Sequence, residues 1–172
     1  MSSKRLAISA LLAAVYLCLT LVLMNFGFGP IQIRVAEVLC LLALYKRDFI
    51  APITLGCALS NLAGVMLGLD IIGYLDVVFG TLATFISLIL IYKFRNIKLF
   101  NKPILSMMMP VLVNSLVIGL MLAYVMQSGD NFMQLFIINA AYVGCGEFIA
   151  VVILGLLLEK NIRQIANLVK FD

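Results

Sequence analysis

The chain contains no histidine. That removes histidine-based acid–base catalysis and histidine ligation of a metal from consideration. Charge is scarce: 12% of the 172 residues are Asp, Glu, Lys or Arg, where a soluble domain carries about 25%. The GxxxxGK[ST] signature of a phosphate-binding loop is missing, so an autonomous ATPase is excluded. HExxH, GxSxG and a close acidic pair such as DxxD are missing as well. A membrane enzyme would then lack its nucleophile, its metal set and its acid–base pair. Cys18, Cys40, Cys57 and Cys145 fall inside apolar runs without CxxC spacing. They read as small buried residues rather than disulfides or metal ligands, and no cofactor is expected. No cleavable signal peptide is expected either. The first apolar run, 6–26, is too long for an h-region and lacks a small-residue cleavage site followed by a polar segment.

What the chain does have is hydrophobicity, at 65% of its residues. Crossing roughly 30 Å of hydrocarbon takes about 20 residues of helix. Six apolar segments are visible, at 6–26, 33–45, 49–68, 71–92, 103–126 and 133–158. The second is short. It spans only with residues 27–33 helping, or else it is tilted or partly re-entrant. Connections are brief, so residues 1–172 are expected to form one all-α integral membrane domain. Its architecture is a compact bundle of six transmembrane helices in a bacterial plasma membrane.

Positive charge sets the expected orientation. With the N-terminus in the cytoplasm, 11 of the 12 basic residues fall on that side, and only Arg34 is left for the outer side. Six spans then place both termini inside. The net charge of +4 follows this sidedness and needs no nucleic-acid partner. Carboxylates show the complementary bias. Asp48, Glu159 and Asp172 are cytoplasmic, whereas Glu37, Asp70, Asp76, Asp130 and Glu147 lie in the outer half or within spans.

Residues 26–39, FGFGPIQIRVAEVL, stand out between two apolar runs. Gly27, Gly29 and Pro30 shape a turn, and Gln32 follows them. Arg34 and Glu37 are three apart, a spacing that lets guanidinium and carboxylate pair on one helix face. Further polar residues interrupt the spans: Asn61, Asp76, Asn114, Asn139, Tyr142 and Glu147. Ionisable groups in hydrocarbon usually face the bundle interior or a water-filled cavity. Asn139, Tyr142 and Gly146 fall along one stripe, with Glu147 beside it. These positions fit a pocket opening outward and capped by residues 26–34. A structural alternative stands beside each. Asn61 and Asn114 are equally suited to interhelical hydrogen bonds. Asp70, Asp76 and Asp130 fit solvated loop positions, and Arg34–Glu37 fits a structural pair at a helix start. Glu147 is hardest to explain structurally, because no basic residue shares its span until Lys160. On the first span, Ala10 and Ala14 form an AxxxA pattern that lets another helix approach closely. Packing inside the bundle is the alternative there. No internal repeat of the kind secondary carriers show is evident, although a small self-sufficient carrier remains a reading.

The six-span plan, AxxxA, FGPIQIRVAEVL and the later IGYLDVVFGTLAT together resemble the substrate-binding S components of energy-coupling factor transporters. The resemblance covers essentially the whole chain and is nearest to the family assigned to queuosine precursors. S components for hydroxymethylpyrimidine and other thiamine precursors share the plan. The resemblance implies a subunit that captures a vitamin-like molecule, such as a deazaguanine, at the outer face. It also implies docking, through Ala10 and Ala14, on a transmembrane coupling protein driven by two ABC ATPases. Gln32, Arg34 and Glu37 match the motif FGxxQxRxAExL. A flat heterocycle with amide and amino edges needs Asn, Gln and carboxylate partners. Pyrimidines and pyridoxine would use the same residue types.

Overall fold

The computed structural model describes residues 3–23, 33–127 and 131–171. Helix α1 is Ser3–Val22. A ten-residue 3-10 helix, Val35–Leu44, comes next. Helix α2, Ile50–Met66, is led in by a single 3-10 turn, Arg47–Phe49. Helix α3, Thr81–Phe94, continues from a π-wound stretch, Asp76–Gly80. Helix α4 is Ile104–Met126, and α5 is Phe132–Glu147. A second π-wound stretch, Phe148–Ile153, carries α5 into the short α6, Leu154–Leu157. Helix α7, Glu159–Leu168, closes the chain.

Among the described residues, five helices are long and apolar enough to cross a membrane: Ser3–Val22, Arg47–Met66, Asp76–Phe94, Ile104–Met126 and Phe132–Leu157. They match five of the six expected segments closely. The sixth, Val35–Leu44, is different in kind. At about 2.0 Å rise per residue, ten residues of 3-10 helix reach only about 20 Å, short of the hydrocarbon thickness. This segment packs against α1, α2, α3, α4, α6, α7 and the second π-wound stretch. Seven of its ten residues are buried. It is a central strut around which the longer helices stand. That position explains its length, since an element enclosed by protein need not match the bilayer.

Sequential helices pack side by side: α1 on α2, α2 on α3, α3 on α4 and α4 on α5. The α1–α2 contact is close because Gly56 has no side chain. A Cβ there would lie 2.7 Å from Tyr16 Cβ and 3.0 Å from Ala13 O. The core centres on the strut, with Cys40, Leu41, Leu42, Phe49, Ile53, Leu88, Ile91 and Val151 fully enclosed.

Apart from Arg34, basic residues gather at one end. Arg5 pairs with Asp48, Lys102 pairs with Glu159, and Lys46 Nζ donates to Val169 O at 2.7 Å. The start of α1 and the C-terminal segment therefore meet the 46–48 turn at the same end of the bundle. Helix α7 is strongly amphipathic. It buries Ile162 and Ala166 and leaves Lys160 and Arg163 outside, and Phe171 meets Phe49 edge-on with ring centres 5.2 Å apart. From sequence this stretch shows only as a basic end. Two of the cysteines also depart from expectation. Cys40 and Cys57 are buried, but Cys18 and Cys145 are exposed on the outer surface of the bundle. A thiol is apolar enough to sit on such a surface.

Candidate functional site

Arg34 caps the start of the strut with non-helical backbone, φ −83° and ψ 83°. Its guanidinium turns toward α2 and α3. Nη1 donates to Asn61 Oδ1 at 3.0 Å, and Nη2 meets Asp76 Oδ2 at 2.5 Å. Asn61 Nδ2 closes the triangle on Asp76 O at 3.0 Å. All three side chains are buried. The expected Arg34–Glu37 pair is therefore corrected: each residue takes other partners. The three-residue spacing holds, but Arg34 stands outside the helix, so its side chain leaves the strut's line.

Glu37 lies one 3-10 turn further in and is fully buried. Its Oε1 accepts from Tyr16 Oη at 2.5 Å and from Thr84 Oγ1 at 3.2 Å. Its Oε2 accepts from Cys40 Sγ at 3.0 Å. Residues three apart eclipse one another in a 3-10 helix, which sets Cys40 directly along from Glu37. Cys57 Sγ donates to Thr84 Oγ1 at 3.3 Å, and Asn61 Nδ2 lies 3.7 Å from Cys57 Sγ. A continuous polar chain thus runs from Asp76 through Arg34, Asn61, Cys57 and Thr84 to Glu37. Tyr16, Cys40, Cys57 and Thr84 were not foreseen. Each is a residue type that also serves in ordinary apolar packing.

Asp76 is fully buried, which rules out the solvated-loop reading for it. It opens a π-wound stretch, and such stretches recur at functional sites. Gly80, one turn on, is required by this arrangement: a Cβ there would stand 2.0 Å from Asp76 Oδ1. Asp70, in the connection before it, accepts from Ile72 N at 2.8 Å and Gly73 N at 3.3 Å. Burial, then the nearby Asp76 charge, pushes its carboxyl up to about 6.

The second polar group lies between α4 and α5. Asn114 Nδ2 donates to Glu147 Oε1 at 2.9 Å. Glu147 is 2% exposed and stands at the start of the second π-wound stretch. Among the described residues, Glu147 Oε2 and Asn114 Oδ1 are buried without a hydrogen-bond partner. Asn139 is buried on the same helix, but Tyr142 is 44% exposed. The expected stripe therefore divides, with Asn139 and Gly146 inward and Tyr142 on the outer surface. Gln32, Asp130 and most of the proposed cap at 26–34 lie outside the described residues.

Among the described residues, the buried charged side chains are Arg34, Glu37, Asp76 and Glu147. One cation stands against three carboxyl groups there, a set suited to a ligand rich in N–H donors. Among the described residues, no cluster of side chains could hold a metal ion. On α1, Ala13 and Tyr16 face the bundle, whereas Ala10 and Ala14 lie on its exposed side.

The QueT transporter family matches residues 6–164 of the chain. A protein of Lactococcus lactis subsp. cremoris (strain MG1363), named Queuosine precursor transporter QueT, is 35% identical over 81 residues. That similarity covers 46% of this chain and 44% of the relative, so it spans less than half of the relative's length. No solved structure matches. With the family matched along most of its length and five membrane-spanning helices beside it, this multi-pass cell-membrane protein belongs to the QueT transporter family.

Proposed function

We propose that the chain is the substrate-binding S component of an energy-coupling factor importer, and that it captures a queuosine precursor of deazaguanine type. The relative's name supplies the substrate class. The observation that carries the reading is the imbalance of one buried arginine against three buried carboxyl groups. Carboxylates in hydrocarbon are costly unless a partner is present. A deazaguanine bearing an aminomethyl group brings a cation and several N–H donors. Glu147 is the direct contact for the cationic group, with Asn114 and Asn139 beside it on the heterocycle's polar edges. Asp76, Asn61, Arg34 and Glu37 organise the mouth, with Gln32 from the preceding turn. Tyr142 offers an aromatic face only if α5 rotates.

In this reading the chain hydrolyses no ATP itself. Two ABC ATPases drive it through a transmembrane coupling protein, which docks on the Ala10–Ala14 face. The end bearing the basic residues is cytoplasmic, by the positive-inside rule. The test is equilibrium binding to the purified chain. The aminomethyl deazaguanine should bind more tightly than a deazaguanine lacking that group, and more tightly than hydroxymethylpyrimidine or pyridoxine. Tighter binding of either of the last two would replace the substrate. Replacing Ala10 and Ala14 with leucine should abolish copurification of the coupling protein and leave ligand binding intact. Uptake catalysed by the chain alone in vesicles would overturn the S-component reading.

A further inference from the structure

At the basic end of the bundle, two adjoining grooves lie between the starts of α1 and α2 and the end of α3. The groove of about 470 Å³ is lined by Arg47, Ile50, Ile89, Tyr92, Lys93 and Arg95. It holds three cations and no carboxylate. In the neighbouring groove, of about 490 Å³, the one acid, Asp48, is already paired with Arg5. Arg95 is held in place. Its guanidinium lies over the Tyr92 ring at 3.8 Å and donates to Tyr92 O at 2.6 Å. Among the described residues, neither Arg47 nor Lys93 has a carboxylate partner. Away from these cations the surface turns apolar at once. Ile89, Phe85 and Leu82 are 42%, 39% and 48% exposed and follow one another at helical spacing along α3.

We propose that this groove is a binding site for an anionic phospholipid. The phosphate would sit among Arg47, Lys93 and Arg95, and an acyl chain would lie along the Leu82–Phe85–Ile89 stripe. Both halves of that ligand are matched here. Basic pockets between helices at a membrane surface favour anionic headgroups, and guanidinium groups hold phosphate oxygens through directed N–H donors. A free phosphate would use the cations but leave the apolar stripe idle. An acidic protein would have to place its carboxylates beside helix surface that lies at hydrocarbon depth. The lipid explains why cations without counter-charges stand at the head of an apolar stripe. The inference is independent of which solute the chain carries.

The test uses the full chain purified in detergent and native mass spectrometry of retained lipid. Phosphatidylglycerol should be retained in preference to phosphatidylcholine with the same acyl chains. Each cation near an anionic membrane surface is worth about fivefold in affinity, so Arg47→Gln with Lys93→Gln should weaken phosphatidylglycerol by roughly 25-fold. Lys93→Gln alone should weaken it about fivefold, and this serves if far-UV circular dichroism shows the double variant misfolded. Lys98→Gln with Lys160→Gln removes the same charge from the same end, and should leave retention nearly unchanged. Glycerol phosphate should displace the lipid only in large excess. Equal retention of the two lipids would overturn the proposal. So would equal losses in the two double variants, or displacement by glycerol phosphate at matching concentration. Loss of a copurifying membrane protein, with lipid retention intact, would reassign the groove to a protein partner.

Discussion

Arg34, Asn61 and Asp76 close on one another through contacts of 2.5–3.0 Å. Glu147 has one bond, from Asn114, and a second oxygen left without a partner among the described residues. Both groups are buried to a similar degree, so burial alone does not separate them. Charge balance does. Asp76 Oδ1, like Glu147 Oε2, is without a hydrogen-bond partner among the described residues, but the other oxygen of Asp76 meets the Arg34 cation, and the cluster ties three elements of the bundle together. The Glu147 pair has an acceptor and no cation. A charge-balanced network holds a shape, whereas a carboxyl group without a cation invites a donor from outside. The same residue types, at similar depth, therefore suit opposite tasks.

The sharpest way to break the comparison is Asp76→Ala. Removing one partner of a buried ion pair strands the other, at about 3–5 kcal/mol. Denaturation in detergent should show a loss of that order. Glu147→Ala should cost far less stability, because its partner is a neutral amide. Next in size is Glu147→Gln, read as ligand affinity. A charge-assisted hydrogen bond contributes about 1.5–3 kcal/mol, so binding should weaken roughly 10-fold to 150-fold. Thermal stability should hold or rise, since glutamine keeps the shape and hydrogen bonding without a buried acid to desolvate. Unchanged affinity in a folded variant would make Glu147 structural and move the contact to the Asp76 side.

A smaller effect is expected from Gly80→Ala. The new Cβ meets Asp76 Oδ1 at 2.0 Å, and overpacking of this kind costs about 1–3 kcal/mol. Ligand affinity should then fall less than in Glu147→Gln if the Arg34 cluster only shapes the mouth. The smallest effect is a pH dependence. The carboxyl of Asp70 is raised in the fold from 3.8 to about 6, so folding favours its protonated form. The penalty for ionising it is absent below about pH 4 and complete above about pH 6. Asp70→Asn should therefore stabilise the protein at pH 7 by about 1 kcal/mol, since solvent screens a half-exposed group. That gain should vanish toward pH 4. A constant difference across that range would show that Asp70 acts by packing.

Much of this is legible in the sequence because polar residues are conspicuous in apolar runs. Asn61, Asp76, Asn114 and Glu147 were visible for that reason, and all four are buried and bonded. Their pairing was not visible. The local rule for residues three apart joined Arg34 to Glu37, yet the partner of Arg34 is 42 positions away. Which groups meet is decided by how helices pack, and single-chain spacing carries no record of that. Thr84, Cys57 and Tyr16 stayed hidden because hydroxyls and thiols also fill ordinary helix surfaces. The second segment was recognised as too short. Its enclosed position comes from the helices packed around it.

That winding has a mechanical side. Ten residues measure about 20 Å as a 3-10 helix and about 15 Å as an α-helix. The two windings of the strut would therefore differ in length by about 5 Å. Arg34 sits at one end. At the other, the adjoining Lys46 holds the C-terminal segment through Val169 O. A rod gripped at both ends cannot shorten locally: any tightening or loosening of its coil must pull on both faces of the protein at once.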